Sequence, residues 1–113
     1  MSLFQPINLP RWIEEHRDLL KPPVGNKMVW RDERDTIIMI VGGPNARKDY
    51  HVNATEEFFY QVEGDITLGI IDPDTGRPET ITIREGEIYL LPANVPHSPQ
   101  RPAGTIGLVI EQK

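Results

Sequence analysis

An antiparallel β-barrel or jelly roll is the fold class this sequence predicts, and three observations carry the prediction. About seven short segments are rich in β-branched and aromatic residues, glycine and proline separate them, and no alternation of strand and helix runs through the chain. Eleven prolines and nine glycines in 113 residues are many for this length, and their placement between apolar runs makes them punctuation rather than low complexity. The length suits one domain with one modest core, read here as residues 1–113 with an N-terminal helical arm over 1–24 packed on the barrel.

The arm holds the one predicted helix. In PRWIEEHRDLL, Trp12, Ile13, His16, Leu19 and Leu20 recur at helical spacing and define one face; Pro10 suits the first turn, and KPPVG ends the element. Strands follow in KMVWRD, DTIIMIVGG, EFFYQVEG, DITLGIID, ETITIREG, EIYLLP and TIGLVIEQ. Ile66, Leu68 and Ile70, and later Ile81 and Ile83, alternate as strands with one buried face require. DPDTGRP between those two strands reads as a hairpin loop. Local propensity does not separate a barrel from a sandwich.

Bulk properties exclude several functions. A formal net charge of −5 and a pI near 5.1 argue against a nucleic-acid surface. No window approaches the roughly 20 apolar residues that cross a bilayer. MSLFQPINLPRW has no basic stretch followed by an apolar run, so the expectation is a cytoplasmic protein with no membrane partner. Cysteine is absent, which removes disulfides, thiolate metal ligands and a cysteine nucleophile. VGGPN invites comparison with a phosphate loop, but no Lys-Ser/Thr pair follows it.

Chemistry concentrates in two stretches. YHVNATEEFFYQVEG places His51 six positions before Glu57, an imidazole and a carboxylate on either side of a polar bend, expected at the end of one strand and the start of its neighbour. Such a pair in a turn is ordinarily a surface contact. Glu56 is a rival carboxylate, which strand alternation sends to the opposite face from Glu57. EGEIYLLPANVPHSPQR supplies the second stretch: Gly86 in a turn, a strand, and then Pro92 and Pro96 bracketing a tight turn before His97. Two imidazoles and one carboxylate gathered on one face of a divalent transition metal leave its other positions open to substrate and dioxygen.

Together these stretches resemble the two sequence signatures of the cupin superfamily. At the intervals of the first the chain has His51, Asn53, Glu57 and Gly64, and at those of the second it has Gly86, Pro92, Asn94, His97 and Arg101. Asn53 stands where the signature has its second histidine, Asn94 where it has a turn glycine, and Arg101 where it has a final asparagine. Asparagine tolerates a left-handed turn, so Asn94 is a mild change. Asn53 reduces the implied ligand set to His51, Glu57 and His97.

The resemblance narrows further. LPRWIEEH, LLKPPVGN, VGGPNARKDYH, EEFFYQVEG, REGEIYLLPANVPHSPQRP and GLVIE are similar to the 3-hydroxyanthranilate 3,4-dioxygenase family, its bacterial members above all, from about Phe4 to Glu111. That family opens the ring of 3-hydroxyanthranilate with dioxygen to give 2-amino-3-carboxymuconate semialdehyde, on the route from tryptophan to quinolinate and NAD. The resemblance implies Fe(II) as cofactor, held by His51, Glu57 and His97. It implies Arg47 beside dioxygen, Arg101 clamping the substrate carboxylate, and Glu111, with Glu57, at the ring substituents. Asp49 would orient a ligand or Arg47. A planar guanidinium holds a carboxylate through two parallel hydrogen bonds that lysine cannot reproduce. A homodimer is the implied assembly.

Bacterial members continue past the GLVIE strand into a segment with two Cys-x-x-Cys pairs that hold a second, structural iron. This sequence has no cysteine, and the expected catalytic residues do not depend on that segment. Two other readings stand beside the dioxygenase: a related enzyme for another aromatic acid, and a non-catalytic cupin that binds metal or a small carboxylate. Trp30 and Phe59 are candidates for the pocket wall or for the core, and His16 for packing.

Overall fold

The computed structural model describes residues 3–30, 34–45 and 47–112. A helix, α1 (Leu9–His16), runs into a short 3-10 turn (Arg17–Leu19), and eight strands follow: β1 (Asn26–Met28), β2 (Thr36–Gly42), β3 (Glu57–Glu63), β4 (Ile66–Ile71), β5 (Pro78–Ile83), β6 (Ile88–Leu91), β7 (His97–Gln100) and β8 (Ile106–Gln112). They form two antiparallel sheets, ordered β1-β2-β8-β3-β6 and β5-β4-β7. The expected antiparallel β architecture with a short N-terminal helix is therefore present. Of the predicted first strand, residues 31 and 32 lie outside the described residues.

The sheets face each other across a core of Phe59, Ile66, Leu68, Ile83, Leu91, Val95 and Val109, drawn from both. Phe59, only 1% exposed, belongs to that core. The alternation read from Ile66, Leu68 and Ile83 is what buries them, each contributing about 1.5–3 kcal/mol of transfer free energy. DPDTGRP is the β4–β5 loop, closed by Asp72, whose Oδ1 accepts from the Asp74 amide at 2.8 Å and whose carbonyl accepts from the Gly76 amide at 2.7 Å.

A second apolar cluster fastens the arm. Asn8 caps α1 by accepting from the Arg11 amide at 3.0 Å, and Pro10 sits in the first turn. Trp12, Ile13 and Leu20 then pack on Ile40 and Ile106 of the larger sheet. Leu19 does not join them: it is 42% exposed, because the helix tightens to 3-10 geometry after His16 and the spacing of the face changes. The two glycines of VGGPN serve packing. A side chain on Gly42 would overlap the carbonyl of Leu20, and one on Gly43 that of Pro102.

β7 is the strand that propensity does not reveal. His-Ser-Pro-Gln has little β preference, and Pro99 has no amide to donate. It is tolerated because β7 is the outer strand of the smaller sheet, where Leu68 pairs with Pro99 and Ile70 with His97.

Candidate metal centre and its pocket

Glu57 opens β3 and points inward, 5% exposed, whereas Glu56 just before it is exposed; alternation along the strand separates the two as register requires. His97 opens β7 and is fully buried. His51 is not on a strand beside β3, as its spacing from Glu57 suggests. It forms a one-residue bridge to β7, its amide donating to the His97 carbonyl and its carbonyl accepting from the His97 amide, both at 2.9 Å. The two imidazoles therefore lie side by side, ring centres 3.9 Å apart.

The donor atoms of His51, Glu57 and His97 fall within 4.8 Å of one another. His97 Nδ1 pairs with the Val95 carbonyl at 2.9 Å, which assigns the proton to Nδ1 and turns the lone pair of Nε2 toward Glu57 Oε2, 3.8 Å away. Burial, with Arg47 nearby, pulls the His97 pKa down against the opposing pull of that carbonyl and Glu111. Burial does the same for His51, helped by His97 and Arg47 and resisted by Asp49 and Glu111. The imidazoles are held neutral, so His97 and Glu57 do not form an ion pair.

His51 Nδ1 and His97 Nε2 are buried without a hydrogen-bond partner. Unpaired buried polar atoms are costly, and two of them on imidazoles gathered with one carboxylate mark a cation site. Bond lengths of about 2.0–2.2 Å to nitrogen and carboxylate oxygen are within reach through small side-chain adjustments. The residues present fit a divalent metal ion.

Asn53, at the position of the missing histidine, has a different task. Its Nδ2 donates to Glu57 Oε1 at 2.9 Å, fixing one carboxylate oxygen and leaving Oε2 to the site. Its carbonyl accepts from the Asn94 amide at 2.7 Å, and Asn94 has the left-handed backbone expected of it, φ 65°. The two asparagines that depart from the cupin signatures thus bond to each other. Sequence reading treats Asn53 only as a lost ligand; its place in the signature, on the side facing the metal, is the signal of its role.

A cavity of about 360 Å³ opens beside the triad, bordered by Arg47, His51, Glu57, Arg101, Val109 and Glu111. Its floor follows from register. Across β3 and β8, Glu57 stands opposite Glu111, Phe59 opposite Val109 and Gln61 opposite Gly107, so a carboxylate rung, an apolar rung and an amide rung succeed one another. Glu111 is paired on both sides, with Glu57 and with Ile37, inside β8. Burial foremost, then the neighbouring Glu111 carboxyl, pushes the Glu57 pKa up to about 8, against Arg101 and Asn53. Trp30 lies elsewhere, stacked on Phe4 with ring centres 5.7 Å apart.

Arg101 is 6% exposed, and burial lowers its pKa to about 10 despite the Glu57 carboxylate. Its backbone is laced to the preceding loop: Asn45 Oδ1 accepts from the Arg101 amide at 2.8 Å, Asn45 Nδ2 donates to the Pro99 carbonyl at 2.9 Å, and Gln100 Nε2 donates to the Arg47 carbonyl at 2.9 Å. Arg47 is at the rim, its Nε 3.4 Å from Asp49 Oδ1. Asp49 itself is 73% exposed; it pairs with Arg47 and acts on His51 through its charge.

Comparison with known proteins places the chain in a family. The family model for 3-hydroxyanthranilic acid dioxygenase matches residues 1–113. The chain belongs to that dioxygenase family. It is 60% identical over 111 residues to a 3-hydroxyanthranilate 3,4-dioxygenase of Xanthomonas campestris pv. campestris (strain B100), covering 98% of this chain and 61% of that protein. It is 51% identical over 109 residues to the one of Bacillus thuringiensis (strain Al Hakam), covering 96% and 60%. The chain thus spans about three fifths of the length of these relatives. Among solved structures, a cupin-2 domain protein of Shewanella frigidimarina superposes with a TM-score of 0.70 at 22% identity, covering 95% of this chain and 94% of that one. That likeness shows the cupin fold. No helix of the described residues is long and apolar enough to cross a membrane.

Proposed function

We propose that the chain carries the catalytic centre of an Fe(II)-dependent dioxygenase that opens the ring of 3-hydroxyanthranilate to 2-amino-3-carboxymuconate semialdehyde. One observation carries the reading: donor atoms of His51, Glu57 and His97 gather within 4.8 Å of one another, the orphaned Nε2 of buried His97 toward Glu57, beside a cavity whose wall also holds a buried arginine. His51, Glu57 and His97 would hold the iron, which when bound supplies open positions at which the ortho hydroxyl and amine of the ring and dioxygen come together.

The protein's own groups do the rest. Arg101 binds the ring carboxylate through its guanidinium, a charge-assisted contact made strong by burial. Val109, on the rung between carboxylates and amide, meets the ring face. Glu111, beside Glu57, takes the proton of the substrate hydroxyl and holds it at its carboxylate. Arg47 donates to negative charge that develops on dioxygen as ring electrons reach it, and Asp49 orients Arg47 from the exposed side. Asp49 is a positioning residue in this scheme.

The chain acts as one domain over 1–113, the described part of its N-terminal arm packed on the larger sheet, in a cytoplasmic enzyme. A homodimer fits the outward row of Phe58, Leu90 and Ile110, adjacent in register on the sheet face away from the pocket.

The decisive experiment loads the protein anaerobically with Fe(II), adds 3-hydroxyanthranilate and follows oxygen uptake. One dioxygen consumed per semialdehyde formed is the expected result. Bound iron with no uptake would overturn the dioxygenase reading and favour a cupin that only binds metal or carboxylate, or one that acts on another aromatic acid.

A further inference from the structure

Arg101 is buried and has to be aimed. A guanidinium on a flexible stem finds a carboxylate only if something fixes its plane, and burial at 6% exposure removes water from that task. The side chain that meets it is Gln61, itself 1% exposed: Gln61 Oε1 lies 3.5 Å from Arg101 Nη1.

Gln61 has no freedom to turn its amide over. Its Nε2 donates to the Gly64 carbonyl at 2.9 Å, so Oε1 must be the end that faces Arg101. Its main chain is held as firmly, the amide donating to the Glu87 carbonyl at 3.0 Å and the carbonyl accepting from the Gly86 amide at 2.7 Å. The pairing of β3 with β8 slips between Gln61 and Glu63, and this bulge carries the turn at Gly64 whose carbonyl Gln61 reaches.

Gly107, opposite Gln61 on β8, completes the seat. A methyl group there would collide with Gln61 Oε1 and come within 2.8 Å of Arg101 Nη1. Ordinary side chains cannot occupy that position while the two polar groups keep their contact. Gln61 is neutral, so it orients the guanidinium without cancelling its charge. A carboxylate in the same place would form an internal ion pair and leave nothing for a ligand.

We propose that Gln61, seated on Gly107, is a positioning residue that holds the Arg101 guanidinium charged, uncancelled and aimed into the pocket, and so selects ring substrates that bear a carboxylate. The proposal rests on the reading of Arg101 as the carboxylate clamp. It is tested by equilibrium binding without oxygen, so turnover is not needed. The Fe(II)-loaded protein is titrated with 3-hydroxyanthranilate and with 2-aminophenol, the same chelating ring without the carboxylate.

The wild-type protein is expected to favour 3-hydroxyanthranilate by at least about 10-fold, the effect of a charge-assisted bond worth about 1.5–3 kcal/mol. In Gln61→Glu that preference collapses toward parity, while 2-aminophenol affinity and iron stoichiometry stay as in wild type. Gln61→Met, which keeps the volume and removes the acceptor, lowers the preference by a smaller factor, and Gly107→Ala lowers it by displacing both groups. Full preference retained in Gln61→Glu and Gln61→Met, with iron bound, overturns the positioning role. Equal loss of both ligands in every variant also overturns it, since that is the mark of a merely structural residue. No preference in the wild type sinks the clamp itself, and the inference with it.

Discussion

Three histidines occupy two regions of the molecule, and their surroundings differ in a way that separates packing from chemistry. His16, at the end of α1, has its Nδ1 bonded to the Trp12 carbonyl at 2.7 Å and its ring stacked on the Trp12 indole, centres 4.1 Å apart. It is half-buried and lies beside no carboxylate of the cavity. His51 and His97 instead lie against each other with their rings tilted by 55°, each has a buried nitrogen with no partner, and both cluster with Glu57. A protein interior satisfies its polar atoms unless something absent from the chain completes them. The helical histidine is finished by the chain alone; the barrel pair is not.

The largest test removes a barrel imidazole. His97→Ala or His51→Ala should abolish stoichiometric binding of a divalent metal, because two remaining ligands do not hold the ion. Isothermal titration with Fe(II) under anaerobic conditions, or with Co(II) as a spectroscopic probe, reads the loss. Undiminished stoichiometry in either variant would end the comparison.

A second test uses the metal-free protein. The Glu57 pKa is raised to about 8 when folded, from an ordinary 4.5. The folded state therefore holds more protons than the unfolded state between those values, and this contribution to stability is lost as pH rises through that window. The lowered pKa values of His51 and His97 act oppositely, but only below about 6.5, where an unfolded histidine gains its proton. Between about pH 6.5 and 8 the Glu57 term stands alone among the three. Denaturant midpoints of the metal-free protein should fall across that interval and fall less in Glu57→Gln; equal slopes in both proteins would contradict the assignment. Added metal should reverse the trend, since binding requires deprotonated ligands.

How much of this was readable without coordinates depends on the kind of information each feature uses. Alternation placed Ile66, Leu68 and Ile83 inside, and the same period-two rule separated Glu57 from Glu56. Motif spacing gathers His51, Glu57 and His97 but not the route: His51 joins the site through a bridge to β7, a strand disguised by its proline. The arm's face was legible to Leu20 except for Leu19, since a switch from α to 3-10 geometry leaves no apolar pattern of its own. Least legible were the amides. Asn53, Gln61 and Asn45 act through individual side-chain hydrogen bonds, and such pairings have no period to read.

Asn53 supplies a test of intermediate size. Its Nδ2 holds Glu57 Oε1, and removing an orienting partner of a metal ligand typically costs about 10–100-fold in affinity. Asn53→Ala should weaken metal binding by about that factor while keeping one metal per chain. Asn53→Asp should be worse, since it sets a second carboxylate against Glu57. An affinity equal to wild type in Asn53→Ala would reduce Asn53 to its backbone bond with Asn94.

The smallest effect belongs to the helical histidine, and it carries the comparison's control. His16→Ala removes one hydrogen bond to a main-chain carbonyl and one stacked ring, a loss of about 1 kcal/mol for the first and a similar amount for the second. Trp12 would remain packed with Ile13 and Leu20 on Ile40, so the arm should stay in place. Chemical denaturation should show that modest destabilisation, and the metal titration should be unchanged in both stoichiometry and affinity. A fall in metal affinity would mean that the arm and the barrel interior are mechanically coupled through Leu20, whose carbonyl lies against Gly42 at the edge of the cavity wall. The same outcome in His16→Phe, which keeps the stacked ring and loses only the hydrogen bond, would trace that coupling to the α1 terminus rather than to the indole.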